Sequence, residues 1–447
     1  MRKDEPSDHE CLDGPLTTRR DFVKRAGAAG VALAGLGGMS PLASAANARR
    51  YARNQRSKVK GAIVFRSWGV GPERKAIENR IKYFNTKYPN VTVKLQNLQK
   101  NGYEEFPALL AQIASGKAPD VLRVLNFQPT QLVAQGNALL PLDEFIRSDT
   151  SFNQADFTKA AWKGAKVGGK VYAIPSSGEP YCLYYNKAMF KKAGLPDALK
   201  TYKAGKLTGP VYASWVDRLQ SRKLAKFGTG FEAWNYDVFI FMGGGEVLTP
   251  NHKVVIDRPR SASALQYMAD FVNKKHAPSP NVIGGTAYQL FANQRLATFI
   301  SGSWWAFYLP DTIKNKFPWS ACGVPRVHGH EGVKLEIDAI SISKQTKNPE
   351  AAWAFVKTVT DHKGLEIWGK IATPARKSVL TSKEFLSNPY VEPLLDMLDV
   401  AEFTPFTTKG SAVDTAAISG LSKMWDGKQS AAQATKLAKK KIEKALA

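Results

Sequence analysis

The sequence predicts an α/β protein of two lobes with a cleft between them, and three observations support this prediction. Strand-like apolar runs alternate with amphipathic helical patterns, which is typical of a mostly parallel or mixed sheet covered by helices. One β-favouring run near the middle of the chain is interrupted and then resumes, as expected where a chain crosses between lobes. The length of 447 residues is sufficient for two or three domains.

The region up to residue 125 alternates three strand-like runs with two helical patterns. The apolar runs cover residues 62–65, 91–95 and 120–125. Pro72 opens the first helix, and Gly116 ends the second. Parallel strands end at one edge of a sheet, where ligands bind in such folds. Trp68, Asn126 and Phe127 follow two of these strands, so we predict that they contact a ligand.

The segment 168–187 is interpreted as the first crossing between the lobes. An apolar run, an interruption and a second strand follow one another at residues 171–174, 175–178 and 182–185. Glu179 and Tyr181 come directly after the interruption, so we expect both side chains where the cleft would hold its ligand.

Strands of the second lobe are also followed by aromatic side chains. The strand predicted over residues 227–231 leads to Glu232 and Trp234, and the strand over 296–300 leads to Trp304 and Trp305. A return crossing is expected at residues 322–327 and a first-lobe strand at 338–343. Asn348 and Pro349 then mark the start of a helix, and a third crossing is expected at 369–374.

Several motifs resemble those of one protein family, the extracellular solute-binding proteins of sugar-type ABC importers, of which maltose-binding proteins are members. The motifs are Gly-Lys-Val-Tyr-Ala-Ile-Pro ending at Pro175, Leu-Tyr-Tyr-Asn-Lys ending at Lys187, and the segments 113–121, 136–142, 302–305, 348–353 and 373–376. Their order and spacing extend the resemblance over residues 60–445.

The resemblance implies a periplasmic binding protein-like type II fold with three interlobe hinge crossings. It places lobe 1 at residues 46–177 and 325–370, and lobe 2 at 178–324 and 371–447. It implies a monomer without a cofactor that binds a sugar or oligosaccharide and delivers it to an ABC transporter permease.

A sugar site combines carboxylates or amides, which bind hydroxyls, with aromatic rings that cover the C–H faces of the sugar. The resemblance implies that Glu179, Glu232, Trp234 and Trp304 contact the ligand. Two departures from the family pattern leave the identity of the sugar undetermined. Val124 occupies a position where maltose-binding relatives carry an aromatic ring, and no residue near Pro72 matches their acidic contact. The complete set of expected ligand contacts is Trp68, Asn126, Phe127, Glu179, Tyr181, Glu232, Trp234, Trp304, Trp305 and Arg376.

Other functions remain open. A polyamine could bind between aromatic walls if Glu179, Glu232 and Asp237 line the cleft. Ferric iron is disfavoured, because Tyr184 and Tyr185 are adjacent strand residues that face opposite ways. An exported enzyme is also disfavoured, since the six histidines form no His-Glu-x-x-His motif and the pair His328 and His330 lies in a glycine-rich turn.

The first 45 residues are predicted to be a twin-arginine export signal. Arg19 and Arg20 precede a mild apolar stretch, and Ala43-Ser44-Ala45 is a small-residue cleavage site. We therefore expect a periplasmic protein. The whole chain carries a net charge of +25, which suggests either attraction to anions or a solvated lysine-rich surface. Nucleic acid is not expected as a partner, because no recognition motif accompanies the charge.

Two cysteines lie in the predicted crossings. Because the first two crossings run side by side in the fold that the resemblance implies, we expect Cys182 and Cys322 to be neighbours. Whether they form a disulfide is left open, since cytoplasmic folding before export requires both thiols to be free.

Overall fold

The computed structural model describes residues 58–283 and 287–447, so the predicted export signal lies outside the described residues. All described residues belong to one compact unit, Pro41–Ala447. The strands are β1 Gly61–Trp68, β2 Val91–Leu98, β3 Val121–Leu125, β4 Lys166–Val167, β5 Lys170–Val171, β6 Ile174–Asn186, β7 Thr298–Gly302, β8 Trp319–Cys322, β9 Val333–Ile342 and β10 Ala401–Glu402.

The helices follow the predicted alternation with the strands. They are α1 Gly71–Lys87, α2 Phe106–Ala114, α3 Gln128–Ala134, α4 Asp143–Ser148, α5 Lys159–Gly164, α6 Lys187–Ala193, α7 Ala198–Lys203, α8 Gly209–Ser221, α9 Tyr236–Met242, α10 Pro259–Asn273, α11 Pro280–Ile283, α12 Ala287–Ala292, α13 Trp305–Ile313, α14 Pro349–Val359, α15 His362–Trp368, α16 Lys377–Leu380, α17 Lys383–Leu386, α18 Glu392–Leu398, α19 Gly410–Trp425 and α20 Ala431–Leu446.

The main sheet is mixed, with the strand order β2-β1-β3-β9-β6-β7. Strand β1 pairs in parallel with β2 and β3, because each connection between these strands includes a helix. The pairs β3–β9, β9–β6 and β6–β7 are antiparallel. Strand β10 pairs in parallel with the start of β9, and β8 pairs with β6 beside this path, so parallel and antiparallel pairs are mixed in one sheet.

Strand β6 forms the first crossing without the predicted interruption. Its first half, up to Pro180, pairs with β9, and its second half, from Tyr181, pairs with β7 and β8. The expected break is a shift in register between Pro175 and Ser177. Proline lacks the N–H that a ladder requires, and a bulge accommodates it without ending the strand.

The return crossing lies later than residues 322–327, where the sequence places it. Strand β8 ends at Cys322, and β9 is the strand that pairs with the first half of β6. The predicted third crossing lies beside β6, because Gly178 N–H donates to Thr373 O at 3.1 Å and Ala375 N–H donates to Ser176 O at 3.0 Å.

Two local predictions need correction. Residues 227–231 form only a single bridge, Phe227 with Leu296, although Gly228 and Gly230 also accept hydrogen bonds from β7. Asn348 precedes α14 as expected, but its side chain donates to Ala62 O at 3.0 Å instead of capping the helix.

Apolar side chains pack into separate clusters on the two sides of the crossing strands. One cluster includes Phe65, Phe84 and Phe355 and forms the core of the first lobe. Another includes Leu183 and Ile240 and forms the core of the second lobe. Each lobe therefore has a core of its own, as expected for a two-lobed α/β protein.

The two cysteines are neighbours, but they face opposite sides of the sheet. Cys322 lies directly across from Leu183, one residue away from Cys182. Cys182 packs in a cluster with Tyr184, whereas Cys322 packs with Leu183, because successive strand residues point to opposite faces. Both thiols are free and buried, and this register does not allow a disulfide.

Candidate ligand-binding cleft

A cavity of about 870 Å³ lies between the two lobes, and its wall includes residues of both. Only four large apolar side chains among the described residues are exposed, and three of them line this cavity: Val70 (58%), Tyr103 (38%) and Trp234 (40%). Apolar surface that is left open to solvent within a concave site is typical of ligand binding.

The first-lobe wall is positioned by the ends of the parallel strands. Trp68 is the last residue of β1, and Phe127 follows β3; both side chains line the cavity. Asn126 lies between β3 and Phe127 with a φ of 41°, a left-handed conformation that asparagine tolerates. Its Oδ1 accepts from Ile337 N–H at 2.7 Å and its Nδ2 donates to Tyr103 and Glu336. Asn126 therefore supports the wall and does not line this cavity.

Aromatic rings dominate the second-lobe wall. The Trp304 ring meets Tyr181 edge to face, with centroids 5.5 Å apart. The Trp305 ring stacks on Tyr288 at 3.8 Å, and all four rings line the cavity. Trp304 and Trp305 can share one wall because α13 begins at Trp305, so the two do not alternate as strand residues would. A Cβ atom at Gly302 would lie 1.8 Å from the Trp304 ring, so this position requires glycine.

Glu179 lines the cavity, but its carboxylate is held by the protein. Oε1 accepts from Thr373 N–H at 3.0 Å, and Oε2 accepts from the Ser303 hydroxyl. Burial raises the pKa of Glu179 to about 7, although these hydrogen bonds oppose the shift. The carboxyl thus joins β6 to the turn after β7 and to the third crossing.

Glu232 and Arg376 lie outside the cavity wall. Glu232 is 1% exposed, and burial raises the pKa of its carboxyl to about 7. Arg376 is also buried; its Nη1 contacts Asp156 Oδ2 at 3.1 Å and its guanidinium lies 4.1 Å from the Phe157 ring. In this conformation neither side chain can reach a ligand in the cavity.

One cationic group in the wall was not anticipated, and we call it the Arg123 cluster (Trp68, Glu73, Arg123, Asp338). Arg123 Nη1 contacts Glu73 Oε1 at 2.8 Å, and Nε donates to Asp338 Oδ2 at 2.7 Å. The guanidinium lies 4.1 Å from the Trp68 ring. Although burial lowers the pKa of Arg123, the two carboxylates raise it overall. An arginine inside a buried strand was the signal that could have revealed this cluster.

A second group, the Lys334 cluster, consists of Asp237, Lys334, Glu336 and Asp414. Lys334 Nζ lies 3.1 Å from Asp237 Oδ2 and 3.2 Å from Glu336 Oε1. The hydroxyls of Tyr103 and Tyr181 donate to Glu336 at 3.0 and 3.3 Å. Lys334, Glu336 and Asp338 occupy alternate positions of β9, so they share one face of the strand. That alternation of charge was the overlooked sequence signal.

The alternative sites have less support in the described part of the chain. Tyr184 and Tyr185 pack into different apolar clusters, so they do not converge on a metal. His328 lies in a turn with its ring nitrogen 3.1 Å from Ser263 Oγ. No group of three or more metal-ligating side chains is found among residues 58–283 and 287–447. Within the same residues, no helix is both long and apolar enough for a membrane span.

Comparisons with known proteins were consistent with this geometry. The family model for bacterial extracellular solute-binding proteins matches residues 69–366. An uncharacterised ABC transporter extracellular-binding protein of Pyrococcus horikoshii is 23% identical over 80% of this chain and 81% of its own. The arabinooligosaccharide-binding protein of Bacillus subtilis is 25% identical over 68% of this chain and 71% of its own.

Similarity also extends to solved structures. The GacH receptor of Streptomyces glaucescens, solved unliganded and with acarbose, is 20% identical, with a TM-score of 0.77 over 87% of this chain and 99% of the receptor. This likeness confirms the type II binding-protein fold predicted from the sequence.

Proposed function

Because the chain belongs to the bacterial extracellular solute-binding protein family, we propose that it is the solute-binding component of an ABC importer. In this proposal it binds a sugar or oligosaccharide in the cleft and delivers it to a membrane permease. The observation that carries the proposal is the concentration of aromatic side chains, among them the exposed Tyr103 and Trp234, in the wall of a cavity of about 870 Å³. Cavities of roughly 300–1,000 Å³ are usual for small ligands.

The chemistry of the wall is suited to sugars. Aromatic faces such as those of Trp234 and Trp304 can cover the C–H surface of a sugar ring, and neighbouring hydroxyl and carboxyl groups can bind its hydroxyls. The arabinooligosaccharide-binding relative is named for the same class of solute. A polyamine remains the second candidate, because carboxylates line the cavity together with these rings.

Closure of the two lobes supplies the mechanism. A ligand that contacts both walls stabilises the closed conformation by the contacts that it makes only there. Strand β6, strand β9 and residues 373–375 connect the lobes. The carboxylate of Glu179, on β6, accepts hydrogen bonds from Thr373 in the third of these segments and from Ser303 just after β7. We propose Trp68, Phe127, Glu179, Tyr181, Trp234, Trp304 and Trp305 as the ligand contacts.

The family name indicates an extracellular or exported protein. We propose export by the twin-arginine pathway, removal of residues 1–45, and a monomeric mature protein of two lobes, in which the chain returns to the first lobe through β9 and not at residue 325. Replacing Arg19 and Arg20 by lysine should leave the protein in the cytoplasm, which fractionation of cells can measure. Export of this variant at the normal rate would contradict the proposed pathway.

Trp234 offers the cleanest test of the cleft. Because its ring is 40% exposed, Trp234→Ala should leave the melting temperature nearly unchanged and weaken saccharide binding by about tenfold or more. Calorimetric titration with a panel of neutral and amino-containing saccharides measures the affinity. Leu386→Ala is the matched control, since Leu386 is 37% exposed and lies outside the cavity. Unchanged affinity in the Trp234 variant, or binding of no saccharide at all, would count against the proposal.

A further inference from the structure

The cavity wall and the whole protein carry opposite charge. The chain has a net charge of +25. Among the described residues that line the cavity there are six carboxylic acids and only two cations. The acids are Glu73, Glu104, Glu179, Glu336, Asp338 and Asp414, and the cations are Arg123 and Lys334.

The two cations cannot neutralise the acids that surround them. Arg123 forms ion pairs with both Glu73 and Asp338. Lys334 forms ion pairs with both Asp237 and Glu336. Each of the two aspartates has one buried oxygen, Asp338 Oδ1 and Asp237 Oδ1, that accepts no hydrogen bond from the described residues. The side chain of Asp338 is only 7% exposed. Negative charge is therefore buried beside the cavity without full compensation, which is unfavourable unless a cation is supplied.

Asp414 is the carboxylate best placed to receive that cation. It lines the cavity, it is partly exposed, and it forms no ion pair within the described part of the chain. Its Oδ1 accepts a hydrogen bond from the Tyr236 hydroxyl at 3.1 Å. Lys334, Asp237 and Glu336 all lie within electrostatic range of it, and burial raises the pKa of Asp414 to about 6. The aromatic walls of the cavity add cation–π attraction for a positively charged group.

We infer that the solute is a saccharide with a protonated amino group, bound with its ammonium against Asp414 at the edge of the Lys334 cluster. The inference rests on the proposed function and narrows its ligand class. A hydroxyl would hydrogen-bond to these carboxylates but would not compensate their charge. The positive surface does not prevent binding, since salt screens it over about 8 Å, whereas the cavity carboxylates act at contact distance.

Matched pairs of sugars test the inference. Calorimetric titration of the full-length mature protein at about pH 7, where Asp414 is mostly ionised, compares amino sugars, as monomers and short oligomers, with their N-acetylated counterparts, because acetylation removes the charge and keeps the ring. Neutral oligosaccharides and spermidine complete the panel. We expect at least one amino sugar to bind about tenfold or more tightly than its acetylated form, with an affinity that falls as salt rises.

The Asp414→Asn variant tests whether Asp414 is the carboxylate that contacts the ammonium group of the ligand. It should weaken binding of the amino sugar by about tenfold and change the affinity of its acetylated form by less than about twofold. Asp217→Asn removes the same charge from a side chain that is 71% exposed and lies outside the cavity, and it should change neither affinity.

Each other outcome overturns the inference in a recognisable way. Acetylated or neutral saccharides that bind as tightly as the amino sugars would overturn it and leave the proposed function intact. An amino sugar that binds equally well to Asp414→Asn would remove the assigned contact. Binding of spermidine alone, or of no ligand in the panel, would overturn both the inference and the proposed saccharide function.

Discussion

The Arg123 cluster and the Lys334 cluster solve the same electrostatic problem in different parts of the cleft. In each, one buried cation stands between two carboxylates. All partners of Arg123 come from first-lobe elements and from β9. Glu336 of the Lys334 cluster is hydrogen-bonded to Tyr103 and Asn126 of the first lobe, whereas Asp237 and Asp414 belong to α9 and α19 of the second. The first cluster therefore stiffens one wall, and the second connects the walls.

The chemistry of the two cations suits these positions. The guanidinium of Arg123 is a planar fork that binds two carboxylates, donates to Trp68 O at 2.8 Å and stacks on a ring at the same time. The ammonium of Lys334 is a compact charge on a flexible stem, which can keep its partners when the lobes shift. Domain closure should consequently disturb the Lys334 cluster more than the Arg123 cluster.

Removing the guanidinium should have the largest effect. Arg123→Gln leaves Glu73 and Asp338 buried without a cation, so we expect the free energy of unfolding to fall by about 3–5 kcal/mol. Urea denaturation measures the loss. Arg74→Gln is the control, because Arg74 and Glu78 form an exposed i,i+4 pair whose loss should cost less than about 0.5 kcal/mol. A loss below about 1 kcal/mol in the Arg123 variant would show that the cluster is not stabilising.

Removing the ammonium group of Lys334 should lower the free energy of unfolding by less, about 2–3 kcal/mol at neutral pH. In Lys334→Met, Glu336 keeps its hydrogen bonds from Tyr103, Tyr181 and Asn126. In the wild-type protein, Lys334 holds the pKa of Glu336 below its ordinary value, although burial alone would raise it. Without Lys334, burial should raise the pKa of Glu336, so the variant should regain stability as pH falls. Urea titrations at neutral and acidic pH measure this recovery, and an equal loss at both would contradict the assignment.

Glu179 is a useful contrast to the two clusters, because among residues 58–283 and 287–447 no cation forms an ion pair with its carboxyl group. Burial raises its pKa to about 7 from an ordinary value of 4.5. The folded state thus binds this proton more tightly than the unfolded state, so the contribution is complete below about pH 4.5 and is lost as pH rises through about 7. The total change is about 3 kcal/mol. Glu179→Gln should remove this part of the pH dependence, measured as the difference in unfolding free energy between wild type and variant from acidic to neutral pH. A difference that does not change with pH would contradict it.

The sequence was most informative where local pattern and position in the fold coincide. Strand ends and helix starts could be predicted because periodicity and proline act locally, and Trp68 and Trp304 lie at or just after strand ends. Arg376 and Glu232 could not be separated from the cleft residues by such arguments. A charged side chain beside a strand end can turn toward the cavity or toward an internal partner, and Asp156, the partner of Arg376, is 220 residues away in the chain.

By itself, the sequence determined the two-lobed α/β fold, the family and an aromatic cleft. Apolar periodicity and strand-end motifs are local, so they can be recognised without knowing which distant residues are in contact. Only the tertiary structure decided how the cleft is charged. Asp237, Lys334, Glu336 and Asp414 come from three separate elements, α9, β9 and α19. The register of β9 against β3 and β6 brings Lys334, Glu336 and Asp338 to the cavity. A shift of one residue would turn all three to the opposite face, because strand side chains alternate.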